Sequence, residues 1–133
     1  MTRTAGSEHW SIDVPEGWSV REDEDCLSIL SPVHEDALQL SSHRKKAGAV
    51  SDADLLEFAA DHLDAGAPRR GAGLGDFVGF EIAYEVDEFA RREWYLRSGQ
   101  TLLFATYTCA AARAGVRDEE VELALITLKV RGD

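Results

Sequence analysis

The residues in this chain that could do chemistry are few and scattered. His34-Glu35-Asp36 puts three potential metal ligands in one turn, and His43 ends the segment that follows. Metal sites do use histidine and carboxylate, but adjacent residues rarely converge on one ion, and no H-x-x-H or C-x-x-C spacing supports them. A solvated polar turn is the expectation. Cys109 would be a nucleophile if His43 or His62 lay beside it in space. It ends an apolar stretch with no signature around it, so it reads as a small core residue. Gly71-Ala72-Gly73-Leu74-Gly75 is glycine-rich but leads into a strand, and so presents no helix N-terminus to a phosphate. Trp10, Trp18 and Trp94 would need basic surroundings to stack bases, and read as core fillers. No catalytic set, cofactor site or metal site is expected.

The charged residues that alternate with apolar ones are more informative. Glu81, Glu85, Arg91, Glu93 and Arg97 are expected to share one sheet face, rimming an apolar patch of Tyr95, Leu102 and Phe104. Cross-strand pairs such as Glu85–Arg91 contribute at most about 1 kcal/mol, which makes a solvated sheet end the plain reading. The sharper reading is a groove for a partner or ligand, open wherever a covering helix stops short.

These residues lie in a stretch, 75–109, that reads as three consecutive antiparallel strands. Val78, Phe80, Ile82, Tyr84 and Val86 recur at every second position, the period of a strand with one buried face. Trp94 and Leu96 share one parity of the next strand. A two-residue loop at Asp87-Glu88 would pair Ile82 with Glu93 and Tyr84 with Arg91, bringing charge into the apolar face. A three-residue loop over 87–89 pairs Ile82 with Trp94, Phe80 with Leu96 and Glu85 with Arg91, and the hydrophobic pattern favours it. The tip at 97–100 then sets Leu103 opposite Trp94. The third strand is apolar on both parities, so both faces are expected to be covered.

The remaining elements flank this meander. Strands are expected at 10–14, 18–22, 26–30 and 37–43, with turns at Pro15-Glu16-Gly17 and Ser31-Pro32. Ser51 reads as an N-cap, with Asp52 and Asp54 suiting the positive end of a helix running to about Leu63 and ended by Gly66. Residues 68–73 read as a loop. Asp118-Glu119-Glu120 open a second helix with Val121, Ala124, Leu125 and Leu128 as its stripe, and Lys129 and Arg131 at its far end. The tail ITLKV fits helix or strand equally. The expected fold is α+β: one antiparallel sheet of about six to seven strands with one helix on each face, in a single domain spanning 1–133.

Composition limits the partners. The 133 residues carry 25 acidic against 14 basic side chains, a formal charge of −11. Phosphate backbones repel such a surface, and the basic clusters Arg44-Lys45-Lys46, Arg69-Arg70 and Arg91-Arg92 are short, so nucleic-acid binding is not expected. No apolar run approaches the roughly 20 residues of a membrane span, and MTRTAGSEHW lacks a signal peptide's apolar core. A cytoplasmic location is expected, with Cys26 and Cys109 as reduced, buried thiols.

The opening W-x-I-D-V-P-x-G-W (10–18), the ALQLSSHRK run (37–45), REWYL (92–96) and LFATYTC (103–109) resemble small bacterial proteins of the PsbP-like class. That class is an α/β/α sandwich shared with a yeast Ran-binding nuclear-import factor. The likeness covers nearly the whole chain. It implies the fold and a protein-binding role, since members bind proteins, act as secretion-effector chaperones or support photosystem assembly. They share no catalytic set, so no site residue carries over, and the Ran-binding surface does not map onto this sequence. The function expected is a non-catalytic interaction module of adaptor, chaperone-like or immunity type, monomeric or weakly dimeric. The alternative is a small-ligand binder or hydrolase with a helix–sheet pocket near Arg91, Glu93 and Tyr95.

Overall fold

The structure, a computed structural model, describes residues 3–24, 26–32, 36–60, 66 and 68–131. In chain order these form β1 (Arg3–Gly6), β2 (Trp10–Val14), β3 (Ser19–Glu22), β4 (Leu27–Leu30), β5 (Ala37–Arg44), α1 (Asp52–Phe58), β6 (Arg69–Leu74), β7 (Phe77–Val86), β8 (Phe89–Ser98) and β9 (Thr101–Ala110). A short 3₁₀ turn (Ala111–Arg113), α2 (Asp118–Leu125) and β10 (Lys129–Val130) follow. Seven strands make one antiparallel sheet in the order β3-β4-β5-β9-β8-β7-β6, and β1-β2-β10 make a second.

The two faces of the large sheet are covered differently. On one, Leu27, Ile29, Leu38, Leu40, Trp94, Leu96, Leu103 and Tyr107 pack against β2 and α2. The strict alternation of Trp10, Ile12 and Val14 turns one side of β2 inward, and Val121, Ala124 and Leu125 do the same for α2. On the other face, α1 lays Leu55 and Ala59 over Phe80, Ile82, Tyr95 and Leu102. This corrects the expected sandwich with one helix per face: α2 shares its face with a second, three-stranded sheet. β1 has too little apolar pattern to reveal itself, and β10 gains its partner, β2, from the far end of the chain.

The meander is present, in a different register. Ile82 faces Glu93, Tyr84 faces Arg91, and Phe80 faces Tyr95. The expected pairs Ile82–Trp94, Phe80–Leu96 and Glu85–Arg91 are therefore displaced by one residue. Trp94 faces Ala105, and Leu103 faces Leu96. Trp94 and Ile82 thus lie on opposite faces. The expectation assumed that charge is kept off a buried face, whereas both faces of β8 are buried and each holds its charges in pairs. The tight β7–β8 turn needs Asp87 and Glu88 at φ 48° and 70°, a left-handed conformation that costs a side chain with a Cβ about 1–2 kcal/mol. Glu88→Gly should therefore raise stability by about 1 kcal/mol, read as a higher denaturant midpoint at unchanged slope. An unchanged midpoint would mean the turn carries no strain.

Two smaller differences follow from side chains that report no period. Residues 68–73, read as a loop, belong from Arg69 onward to edge strand β6, which escaped notice because Gly71 and Gly73 leave no alternation to see. Lys129 and Arg131 lie beyond α2, with Lys129 in β10, so neither stands in the helix's last turn. The Gly75 turn joins the layers: its φ is 61°, and a Cβ there would lie 2.0 Å from the Leu128 carbonyl oxygen. At α1 the N-cap is as read. The Ser51 hydroxyl accepts from the Asp54 amide at 3.2 Å, and the Asp54 carboxylate accepts from the Ser51 amide and from Lys45, both at 2.9 Å. The expected continuation of the helix to about Leu63 falls within residues 61–65, which lie outside the described residues.

Candidate functional site

The register splits the expected set of site residues between two faces. Arg91, Glu93, Tyr95, Arg97, Leu102 and Phe104 stand on the α1 face, while Glu81 and Glu85 stand on the face toward α2. The reading that all five charges share one solvated rim is corrected. Two of them are internal.

Glu93 is 2% exposed. Its carboxylate accepts from the Tyr84 hydroxyl at 2.9 Å and the Tyr95 hydroxyl at 2.8 Å, and Arg91 Nη2 lies 3.2 Å away. Burial first, and then the bond to Glu93, push both phenols above their ordinary range. Glu81, at 6% exposure, accepts from Nε and Nη2 of Arg92 and from Arg70 Nη2. Burial works to raise its pKa, but the two guanidiniums outweigh that and hold it below the usual carboxylate range. The Arg92 guanidinium lies 4.8 Å from the Trp94 ring, and its Nη1 lies 3.5 Å from Asp118 and 3.6 Å from Glu122. These groups tie β7, β8 and α2 together. They are cross-links within the fold, with their acceptor capacity committed to each other.

The apolar patch survives in part. Tyr95 and Leu102 are buried and Phe104 is half-buried. Phe58, at the end of α1, rests on them with ring centroids 5.8 Å from Tyr95 and 5.4 Å from Phe104. Yet Phe58 itself is 53% exposed. Beside it an open groove of about 430 Å³ is lined by Val50, Phe58 and Leu102, with His43, Lys45, Asp54 and Glu57 as a charged margin. Its size suits a peptide side chain or a small ligand. Arg97 contributes from below through a 2.8 Å ion pair to Asp52 in the first turn of α1. Sequence reasoning missed the groove's margin, because His43 and Lys45 reach it only through β5. Its one sequence signal is that Phe58 sits beside the apolar stripe of α1 instead of within it.

The other candidate residues take structural places. Cys109 is buried on the face opposite His43, and burial, together with Asp36, pushes its thiol up, against nucleophilic use. Asp36 is 1% exposed and accepts from Tyr107 at 3.2 Å and Arg113 at 2.8 Å. His34, Glu35 and His62 lie outside the described residues. Among the described residues no three of His, Cys, Asp and Glu converge on a metal position. The Trp10 and Trp18 indoles are buried and donate to Ser42 and Glu120, both at 2.9 Å. No helix among the described residues is long and apolar enough to cross a membrane.

No known family model matches the chain, and neither does any curated protein sequence. Among solved structures, a protein from Bacteroides thetaiotaomicron VPI-5482 is similar, with a TM-score of 0.68 over 93% of this chain at 16% identity. The chain spans 46% of the length of that protein's chain. At that identity the likeness speaks for architecture alone: a mixed α+β arrangement built on a long antiparallel sheet.

Proposed function

We propose that this chain is a non-catalytic protein-interaction module that docks a partner in the groove beside α1. Phe58 carries the reading. A phenylalanine half exposed on two other aromatic rings, next to a concave surface, is the kind of anchor around which hot spots form. Adaptor, chaperone-like and immunity-type roles, a cytoplasmic setting and membership of the PsbP-like class all belong to this proposal. The formal charge of −11 suits a basic partner and disfavours nucleic acid. The test is capture from native lysate by the immobilised protein and by its Phe58→Glu variant. A stoichiometric protein retained by the first and lost by the second is expected. Equal retention by both, or none across several growth conditions, would sink the proposal.

A second reading rests on a different feature. A cavity of about 300 Å³ lies between the sheet and the turn into α2, walled by Ala83, Ala90, Arg91, Arg92, Cys109 and Asp118. It is a more open place for a small ligand than the filled surroundings of Glu93 and Tyr95. A metabolite that raises the melting temperature, and no longer does so in Ala90→Leu, would favour this reading.

A further inference from the structure

The cavity between the sheet and the turn into α2 has a floor of small side chains and a margin that is negative in balance. On the face toward α2, Glu85 stands opposite Ala90 and Ala90 opposite Cys109, while Ala83 stands opposite Arg92 in the next row. Alanine at positions 83 and 90 leaves a hollow of about 300 Å³, bounded on its other side by Ala114 and Asp118. That is the small end of the range for ligand pockets. The guanidiniums here are already paired. Arg92 turns Nε and Nη2 to Glu81, and its Nη1 lies 3.5 Å from Asp118 and 3.6 Å from Glu122. Arg70 also pairs with Glu81, and Arg91 turns its guanidinium to Glu93 on the opposite face. Beside the cavity, two arginines, Arg70 and Arg92, thus meet four carboxylates, those of Glu81, Glu85, Asp118 and Glu122. Glu85 lines the cavity, is exposed, and has no ion-pair partner among the described residues. Asp87 and Glu88 follow it in the exposed turn.

We propose that this cavity binds a small primary amine, with the apolar body of the ligand on Ala83, Ala90 and Cys109 and its ammonium group at Glu85. The proposal rests on the second reading above, in which the cavity takes a small ligand, and adds the charge and polarity of that ligand. A cleft with apolar walls and one sign of charge in excess concentrates ions of the opposite sign. An ammonium gains the unpaired carboxylate of Glu85. A carboxylate on the same body would meet Glu85 with every nearby guanidinium already engaged, and a neutral alcohol would gain only the floor.

Three probes of similar shape separate body from charge: 2-phenylethylamine, 2-phenylethanol and 3-phenylpropionate, each titrated at neutral pH while the amide NMR shifts of Ala83, Ala90 and Ala114 are followed. The amine is expected to bind with a Kd of about 1 mM, and the other two at least about tenfold more weakly. Glu85→Gln should erase most of the amine's advantage over the alcohol, and salt at about 0.5 M should do the same, because the margin is open to solvent. Glu85 is exposed, so its variant tests the charge without disturbing the core. Ala90→Leu, which fills the floor, should abolish binding of the amine while the shifts of the distant strands stay in place. An amine that binds no better than the alcohol, or that ignores Glu85→Gln, overturns the proposal and leaves the cavity as a ligand site. No shift from any probe up to about 20 mM, or shifts that persist in Ala90→Leu, removes the cavity reading as well.

Discussion

Arg92→Ala is expected to destabilise the fold by about 3 kcal/mol, because it removes one partner of a buried charge and leaves the other in place. Glu81 would keep only Arg70, whose side chain is 76% exposed. Asp118 and Glu122 would lose the cation that faces them both, and the Trp94 ring its guanidinium neighbour. For a chain of this size the loss corresponds to a melting temperature lower by about 10 °C. Arg92→Lys should fall between, since an ammonium cannot reproduce the two bonds from Nε and Nη2. Removing both partners, as in Glu81→Leu with Arg92→Met, should cost less than Arg92→Ala alone, because no buried carboxylate is then left short of a partner. Equal melting of Arg92→Ala and the parent protein would show that Glu81 is not held by this network.

The second large effect is expected in alkali. All three tyrosines of the chain, Tyr84, Tyr95 and Tyr107, are raised above the ordinary value of 10.0, in each case first by burial. Their carboxylate neighbours, Glu93 for the first two and Asp36 for Tyr107, act in the same direction. A group with a raised folded pKa contributes stability that is complete below its unfolded value and is lost as pH rises beyond it. The unfolded chain ionises its phenols near pH 10 and the folded one resists, so stability should fall steeply above pH 10. Tyrosinate absorbance should then appear in one cooperative step, together with loss of the circular-dichroism signal of the sheet. Gradual ionisation centred on pH 10 in a protein whose sheet is intact would contradict the closed arrangement of Glu93 with its two phenols. Glu93→Gln should remove only part of the effect, because burial is the larger cause.

The local devices were legible because their causes are local. The capping box needs only Ser51 and Asp54, three residues apart, and the alternation from Val78 to Val86 declares a strand by itself. The two-sided apolar character of β9 correctly required cover on both faces. The tight β7–β8 turn was set aside because it placed Glu93 and Arg91 among apolar side chains. Nothing near them in sequence shows that Tyr84 and Tyr95 would supply hydroxyls to that carboxylate. A strand whose two faces are both buried gives hydrophobicity no preference between registers, so the pairing of charges decides. The candidate groove was half legible for the same reason: Tyr95, Leu102 and Phe104 announced themselves, while the margin of His43, Lys45 and Glu57 did not.

What the sequence by itself determined is the set of elements whose pattern repeats over short range: the meander, both helix starts and the inward stripes of β2 and α2, together with the acidic balance of the chain. Only the tertiary structure decided the register of β8, the second sheet, the pairing of Arg92 with Glu81, and the exposure of Phe58. Each of these depends on what a residue meets from a distant part of the chain, where burial and charge pairing act on groups that local periodicity cannot bring together.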